Sequence, residues 1–533
     1  MNVRRYQKWA KSGLAILLAG AMMVGTAASG GGMTAQAAET ESSDTVSTQK
    51  AVTSDAASLL FTEKHITSDL TLPTIGASGT TISWKSSNPS VLSNEGKVTR
   101  PKKGAADEEV TLKGTVKMGD YAKARNFTFV VLAESEMGPT KEFALDQVEL
   151  LDDYYLTAQN SDIEFLKKFD NDRLLSRFRE TAGLDTKKIA PYGGWEDGWL
   201  GGHSVGHYLT AIAQAVKATG NADLKEKSKQ LIEGLAECQN KLGTGFIFGA
   251  KIETEGYVEK QFDILEGKTT GKTWVPWYNM HKMLTGLVDT YKYTGNKQAL
   301  EVAKKLGDWI YNRVSKWDAG TQGRVLGTEY GGMNDCLYEL YLCTRDSKHL
   351  EAAHKFDQPN LYKTVAKGGK NCLNGKHANT TIPKFLGALK RYVVLEQTGE
   401  LTKDDEAYLT NVEKFFDIAV TRHAYITGGV SVMEHFRKDN NQDGTRTQTN
   451  CESCCAHNML KMAKELYKVT GDKKYADYYE TTLRNSIMGA VKSESGAAAY
   501  FIPMATGYFK TFGNEDPAKN MFWCCTGSGM ENF

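Results

Sequence analysis

The sequence predicts a mainly α protein: a closed (α/α) barrel of paired helices preceded by a small β-sandwich. Two observations carry the fold and a third marks off the N-terminus. After about residue 145, apolar helical stretches end repeatedly in a Thr-Gly-type turn followed by a polar restart. The cases are Ala218-Thr219-Gly220-Asn221, Tyr293-Thr294-Gly295-Asn296, Cys343-Thr344-Arg345-Asp346, Gln397-Thr398-Gly399-Glu400 and Val469-Thr470-Gly471-Asp472, a helix-stop, helix-start pattern. Residues 51–134 instead carry short alternating apolar runs, the period of half-buried strands. Before both, Arg4, Arg5, Lys8 and Lys11 precede an apolar run from Leu14 to about Ala28.

In chain order, residues 1–37 read as a signal peptide, because Ala35-Gln36-Ala37 follows the apolar run with small residues where a signal peptidase cleaves. A secreted or cell-surface bacterial protein is expected, with no membrane span after cleavage. Residues 38–50, rich in Ser, Thr and Glu, read as a flexible leader. The 51–134 segment places strands at Thr80-Thr81-Ile82-Ser83-Trp84, Val110–Val116 and Phe127–Val131, separated by Asn-Pro, Glu-Gly and Gly-Asp turns. Residues 135–144, with Gly138-Pro139, read as a linker, and 145–533 as the helical domain. Its Thr-Gly turns are about 50 to 75 residues apart, room for two helices and a loop each, which suggests a toroid, with an α-solenoid as the alternative.

Composition narrows the function. Lys+Arg at 65 against Asp+Glu at 64 leaves no net field to attract a polyanion, which argues against nucleic acid. Three loops combine His, Trp and Gly: Trp195 running into His203 and His207, Trp274 and Trp277 with His281, and His377 with Asn379. Rings that stack on C–H faces, interleaved with polar groups that bond hydroxyls, suit a sugar; each residue taken singly also fits a satisfied core. None of the 9 Cys precedes Cys238, and five fall in two groups, Cys451/Cys454/Cys455 and Cys524/Cys525. An odd number with adjacent pairs fits a disulfide framework poorly. Glu452, Cys454, Cys524 and Cys525 offer four zinc ligands from two loops. Such a site is structural, or catalytic through a thiolate that zinc keeps deprotonated.

These residues resemble a known family. Tyr425-Ile426-Thr427-Gly428-Gly429 through Glu434-His435-Phe436, then Glu452-Ser453-Cys454, then Phe522-Trp523-Cys524-Cys525-Thr526-Gly527 look like the β-L-arabinofuranosidases of glycoside hydrolase families 127 and 146. Gly202-His203 through Leu209, Val275-Pro276-Trp277-Tyr278 with His281, Thr328–Asn334 and His377–Thr380 agree. The resemblance covers about 145–533. It implies an (α/α)6 barrel that releases β-linked L-arabinofuranose from plant glycans with retention. Cys524 would be the nucleophile and Glu434 the acid/base, with Zn2+ held by Glu452, Cys454, Cys524 and Cys525. His281 matches a pocket histidine and His377 a further one. The Trp84–Val98 stretch resembles bacterial immunoglobulin-like modules of secreted carbohydrate-active enzymes, here read as a spacer.

The sequence departs from the family pattern in three places. Met433 stands where Gly is expected and Arg437-Lys438 follows the motif; Cys451 and Cys455 flank the ligand set as alternative ligands or disulfide partners; and the chain stops at Phe533, where relatives continue into a barrel helix and β domains, so a C-terminally incomplete barrel is expected. The rival class is a non-catalytic carbohydrate-binding surface protein with a structural zinc site, which needs neither Glu434 nor a thiolate beside the sugar.

Overall fold

The computed structural model describes residues 43–61, 64–67, 69–102, 105–133, 140–250, 257, 259–513 and 521–532. Residues 1–37, read as a signal peptide, residues 38–42 of the expected leader and 135–139 of the expected linker lie outside them.

The N-terminal region is built on one four-stranded sheet of order β1-β4-β3-β2, with β1 (His65–Ile66), β2 (Thr81–Ser86), β3 (Glu108–Met118) and β4 (Tyr121–Val131). Alternation places Val110, Leu112, Phe129 and Val131 on one buried face with Leu92. The segments around Leu92 and Val98 meet only in an isolated bridge. The second layer comes partly from α1 (Ser43–Ser58), and here the structure corrects the leader reading. Val52, Ala56 and Leu59, spaced along one face, pack on Ile82 and Val116, and the Asp55 carboxylate accepts hydrogen bonds from the Ser78 backbone and the Thr80 hydroxyl. Weak local periodicity is overridden by that tertiary contact. The module rests on the helical domain through Asp107 and Lys473, 2.9 Å apart.

The helical domain runs α2 (Asp153–Lys167), α3 (Asn171–Ala182), α4 (His203–Thr219), α5 (Ala222–Leu242), α6 (Lys260–Leu265), α7 (Pro276–Thr294), α8 (Lys297–Val314), α9 (Ala319–Leu326), α10 (Met333–Thr344), α11 (Ser347–His354), α12 (Pro359–Ala366), α13 (Ala378–Thr398), α14 (Glu406–His423), α15 (Ser453–Thr470), α16 (Lys473–Thr482) and α17 (Cys524–Met530). Helices α4, α7, α10, α13, α15 and α17 each pack on the next, and α17 packs back on α4. A closed ring replaces the solenoid alternative. Helices α5, α8, α11, α14 and α16 pack outside their inner partners. The inner helices are buried on nearly every side, the short α17 throughout and α4 and α13 most completely of the longer ones, as the middle layer of a barrel must be.

The Thr-Gly turns close as their chemistry dictates. Gly220, Gly295, Gly399 and Gly471 are left-handed caps, and Arg345 takes the same conformation at φ +57°. Asn221, Asn296, Asp346 and Asp472 then cap the following helices through their side chains. Among the described residues no helix is long and apolar enough to cross a membrane.

Candidate active site

The N-terminal ends of the inner helices converge on one mouth. Short strands tie two loops there: β5 (Gly193–Gly194) pairs in parallel with β6 (Met521–Phe522), and Trp195 N–H donates to the Phe522 carbonyl at 3.1 Å. Gly194 lies at φ +72°, and a Cβ on it would stand 2.9 Å from the Phe522 oxygen, so only glycine permits this approach. The pairing places Trp195 over the cysteine cluster and lets α17 open at Cys524. A second tie, a bridge between Glu452 and Phe501, brings Tyr500 beside the start of α15.

The ligand atoms of Glu452, Cys454, Cys524 and Cys525 all lie within 4.8 Å of one another, and all four residues are buried. Cys454 Sγ is 3.4 Å from Cys525 Sγ and accepts from the Ser528 hydroxyl at 3.1 Å. The Glu452 carboxylate accepts from Asn379 Nδ2 at 3.2 Å and Cys455 Sγ at 3.0 Å. Burial pushes Glu452, Cys454 and Cys525 well above their ordinary values, whereas hydrogen bonds from Cys454 and Cys525 hold Cys524 well below its own. A buried carboxylate facing three sulfurs, with no basic side chain bonded to it among the described residues, is a donor set that a divalent metal completes. The residues fit zinc.

Glu434 sits in a two-residue left-handed turn, Met433 at φ +47° and Glu434 at φ +64°. This explains why glycine suits position 433: a side chain there carries strain of about 1 kcal/mol. Arg437 braces the turn by donating to the Val432 carbonyl at 3.0 Å. One Glu434 oxygen accepts from the Tyr500 hydroxyl, and the other is 3.2 Å from His377 Nε2. Thr380 N–H donates to His377 Nδ1 at 3.2 Å, so the proton of a neutral ring lies on Nε2 and points at Glu434. Burial lowers the His377 pKa, but the Glu434 hydrogen bond and the charges of Glu329, Glu434 and Cys524 outweigh it and raise the net value. Tyr500 also stands 3.5 Å from Cys524 Sγ. One hydroxyl thus joins the sulfur to the carboxylate.

The other sequence candidates divide. His203 Nδ1 lies 2.6 Å from Glu196 Oε1. Glu196 also accepts from the backbone of Gly202 and Ser204, so it caps α4 from outside the helix. Burial lowers the His203 pKa but Glu196 raises it more, and its charge faces Cys524. His207 pairs with Glu531, and burial takes it down to about 4. His281 packs on Gly331 and Gly332, and burial pushes its pKa well below the usual imidazole value. Trp195 forms an edge contact with Trp523 at 5.3 Å and lies 5.9 Å from Trp274, an aromatic rim at the mouth.

Two assignments change. Trp277 is fully buried among Phe262, Trp309, Trp317 and Phe356, outside the mouth. One residue later the helix has turned about 100°, and Tyr278 is the side chain that faces His203 and the cysteines. Asn379 bridges Glu452 and Asn458: it orients a ligand. All nine cysteines are free, so Cys451 and Cys455 form no disulfide; Cys451 lies in a separate apolar cluster. Sequence reasoning missed Tyr500, Glu531 and Glu329, the last raised by burial and facing His377, Cys524 and Glu434. Glu329 lies inside the Thr328–Asn334 motif and Glu531 a few residues beyond the Cys524-Cys525 one; Tyr500 lies in neither.

Comparison with known proteins bears on this geometry. The family described as "Beta-L-arabinofuranosidase, GH127 catalytic domain" matches residues 147–533, and "Atrophied bacterial Ig domain" matches residues 46–134. A solved GH127 beta-arabinofuranosidase superposes with TM-score 0.54 at 18% identity, covering 74% of this chain and 61% of that one. A GH127 beta-L-arabinofuranosidase from Geobacillus stearothermophilus T6 gives 0.52 at 16% identity, covering 72% and 64%. At these identities the likeness is one of fold, and the chain spans somewhat over three fifths of either relative's length. No curated protein matches the sequence.

Proposed function

This chain belongs to the GH127 β-L-arabinofuranosidase catalytic-domain family, and from that premise we propose that it is an exported retaining glycosidase that releases β-linked L-arabinofuranose from plant-derived glycans. Glu452, Cys454, Cys524 and Cys525 would hold zinc, which supplies positive charge that keeps buried sulfur anionic near neutral pH.

The chain's own groups then divide the work. Cys524 Sγ attacks the anomeric carbon; a C–S bond forms as the bond to the aglycone oxygen breaks, and protonated Glu434 gives that oxygen its proton. In the second half Glu434 takes a proton from water, whose oxygen displaces sulfur at the same carbon. Two inversions leave the configuration retained. His377 and Tyr500 hold the two Glu434 oxygens in place, and Trp195, Trp274 and Trp523 offer ring faces to the sugar or aglycone.

The observation that carries this reading is the Tyr500 hydroxyl, bonded to Glu434 and 3.5 Å from Cys524 Sγ, which supports a nucleophile and a proton donor close enough to act on one sugar. The test is hydrolysis of a chromogenic β-L-arabinofuranoside by the full chain, by Cys524→Ser and by Glu434→Gln, with zinc measured in each. The reading expects kcat to fall on the order of 10⁴-fold in Cys524→Ser and 10²- to 10⁴-fold in Glu434→Gln. Unchanged rates in both variants would remove the mechanism. Tight sugar binding with no turnover of any glycoside by the zinc-loaded chain would make it a carbohydrate-binding protein.

A further inference from the structure

On the outer wall, far along the chain from the cysteine motifs, α8 and α11 bring Asp308, Asp346 and His349 together. A carboxylate oxygen from each aspartate and an imidazole nitrogen lie within 4.8 Å of one another. Acidic groups near a histidine are common; what sets this one apart is the state of the ring. His349 is fully buried, and its Nδ1 is 2.8 Å from the Thr344 hydroxyl. That hydroxyl spends its one hydrogen on the Leu340 carbonyl at 2.9 Å. It therefore accepts from His349, and the ring's hydrogen is on Nδ1.

Nε2 is then a lone pair, and it points at another: Asp308 Oδ1, 3.8 Å away. Both atoms are buried without a hydrogen-bond partner among the described residues. The ring is pressed against α8, where a Cβ on Gly307 would stand 2.7 Å from Nε2. Burial lowers the His349 pKa and outweighs Asp346, Asp308 and the Lys304 carbonyl, which is also within reach of the imidazole and, like them, favours its charged form. Asp346 uses one oxygen to cap α11 through Lys348 N–H at 3.1 Å and keeps the other. Lys348 Nζ reaches 3.8 Å from Asp308 on a half-exposed side chain, free to swing into solvent. Facing lone pairs in a buried place call for a cation between them.

We propose that Asp308, Asp346 and His349 bind a divalent transition cation of the zinc class, which pins α11 to α8. One imidazole and two carboxylates, with water completing the shell on the exposed side, suit zinc, cobalt or manganese. The Thr344 contact is the outer hydrogen bond that fixes the tautomer of a ligating histidine.

Cobalt separates this site from the thiol cluster, because only cysteine ligands give thiolate-to-cobalt absorption. The full chain is stripped with a chelator and titrated with Co2+ as wild type, Asp308→Asn and His349→Gln. Wild type should take up one equivalent more than either variant, without added thiolate absorption. Affinity for that equivalent should fall at least about tenfold in both variants, and Co2+ should raise the melting temperature of wild type more than theirs. Asp308 is half-exposed, so Asp308→Asn folds even if His349→Gln does not, and its glycoside turnover should be unchanged. Equal uptake by wild type and Asp308→Asn overturns the proposal and leaves a neutral imidazole bonded to the Lys304 carbonyl in its place.

Discussion

The two ends of the inner helices are built differently. At the C-terminal ends of α4, α7, α10 and α15 a threonine hydroxyl bonds the carbonyl four residues back, at 2.7, 2.5, 2.9 and 2.8 Å for Thr219, Thr294, Thr344 and Thr470. A left-handed residue stops the helix, and the next polar residue donates its N–H to the same threonine before capping the outer helix. At the N-terminal ends Gly202, Val275, Gly332 and Glu452 provide no side-chain cap. Only His377 caps its own helix, α13, and Glu196 does so for α4 from a neighbouring loop. One end satisfies its backbone locally, and in the same way in these four helices; the other spends its side chains on sulfur, carboxylate and imidazole contacts between distant segments. The molecule concentrates strain and function where local stability has been given up.

Substitution at the mouth should therefore cost activity as well as stability. Gly527 lies in α17 three residues beyond Cys524, and a Cβ on it would stand 2.2 Å from His207 Cγ. Gly527→Ala must push α17 off α4 and carry Cys524 with it. We expect kcat/KM on the chromogenic arabinofuranoside to fall about 10²-fold or more from misplacement alone, together with about 1–3 kcal/mol of stability from overpacking, read by denaturant unfolding. Native kinetics would mean that the mouth adapts and that the comparison with the other end is overstated.

A smaller effect is expected from a side chain that touches the chemistry without taking part in bond breaking. Tyr500→Phe removes the hydroxyl between Glu434 and Cys524 while keeping the ring near Trp523. The expected loss is about 10- to 100-fold in kcat, within the range of general acid–base effects, with zinc content and unfolding midpoint retained. A loss of zinc in this variant would instead make Tyr500 a support of the ligand cluster.

The same contrast explains what was legible beforehand. Stop signals such as Thr219-Gly220-Asn221 are local chemistry, bonds within four residues, so sequence alone places them and with them the paired-helix barrel. The mouth is non-local. The ligand set was readable from the two cysteine groups, and the roles of Glu434 and Cys524 from motif resemblance, but spacing does not say that Tyr500 crosses to both. Nor does adjacency distinguish Trp277 from Tyr278, since a helix sends neighbours in different directions and only packing tells which faces the core. Residues 43–50 looked unstructured because the surface that makes them helical, around Ile82 and Val116, lies some thirty residues and more away.

The mildest test belongs to the regular end. Gly295 stops α7 at φ +72° with open space where a Cβ would go, so Gly295→Ala meets no neighbour and pays only for a left-handed backbone. About 1 kcal/mol of stability should be lost, measured by urea unfolding, with kcat/KM on the arabinofuranoside and metal uptake both unchanged. The value lies in pairing it with Gly527→Ala, the same chemical change in the same ring of helices. If both cost equally in stability and neither in rate, the ends are not distinct after all. If Gly295→Ala alone spares the rate, a left-handed glycine at the regular end serves the fold and a close-packed glycine at the mouth serves the reaction.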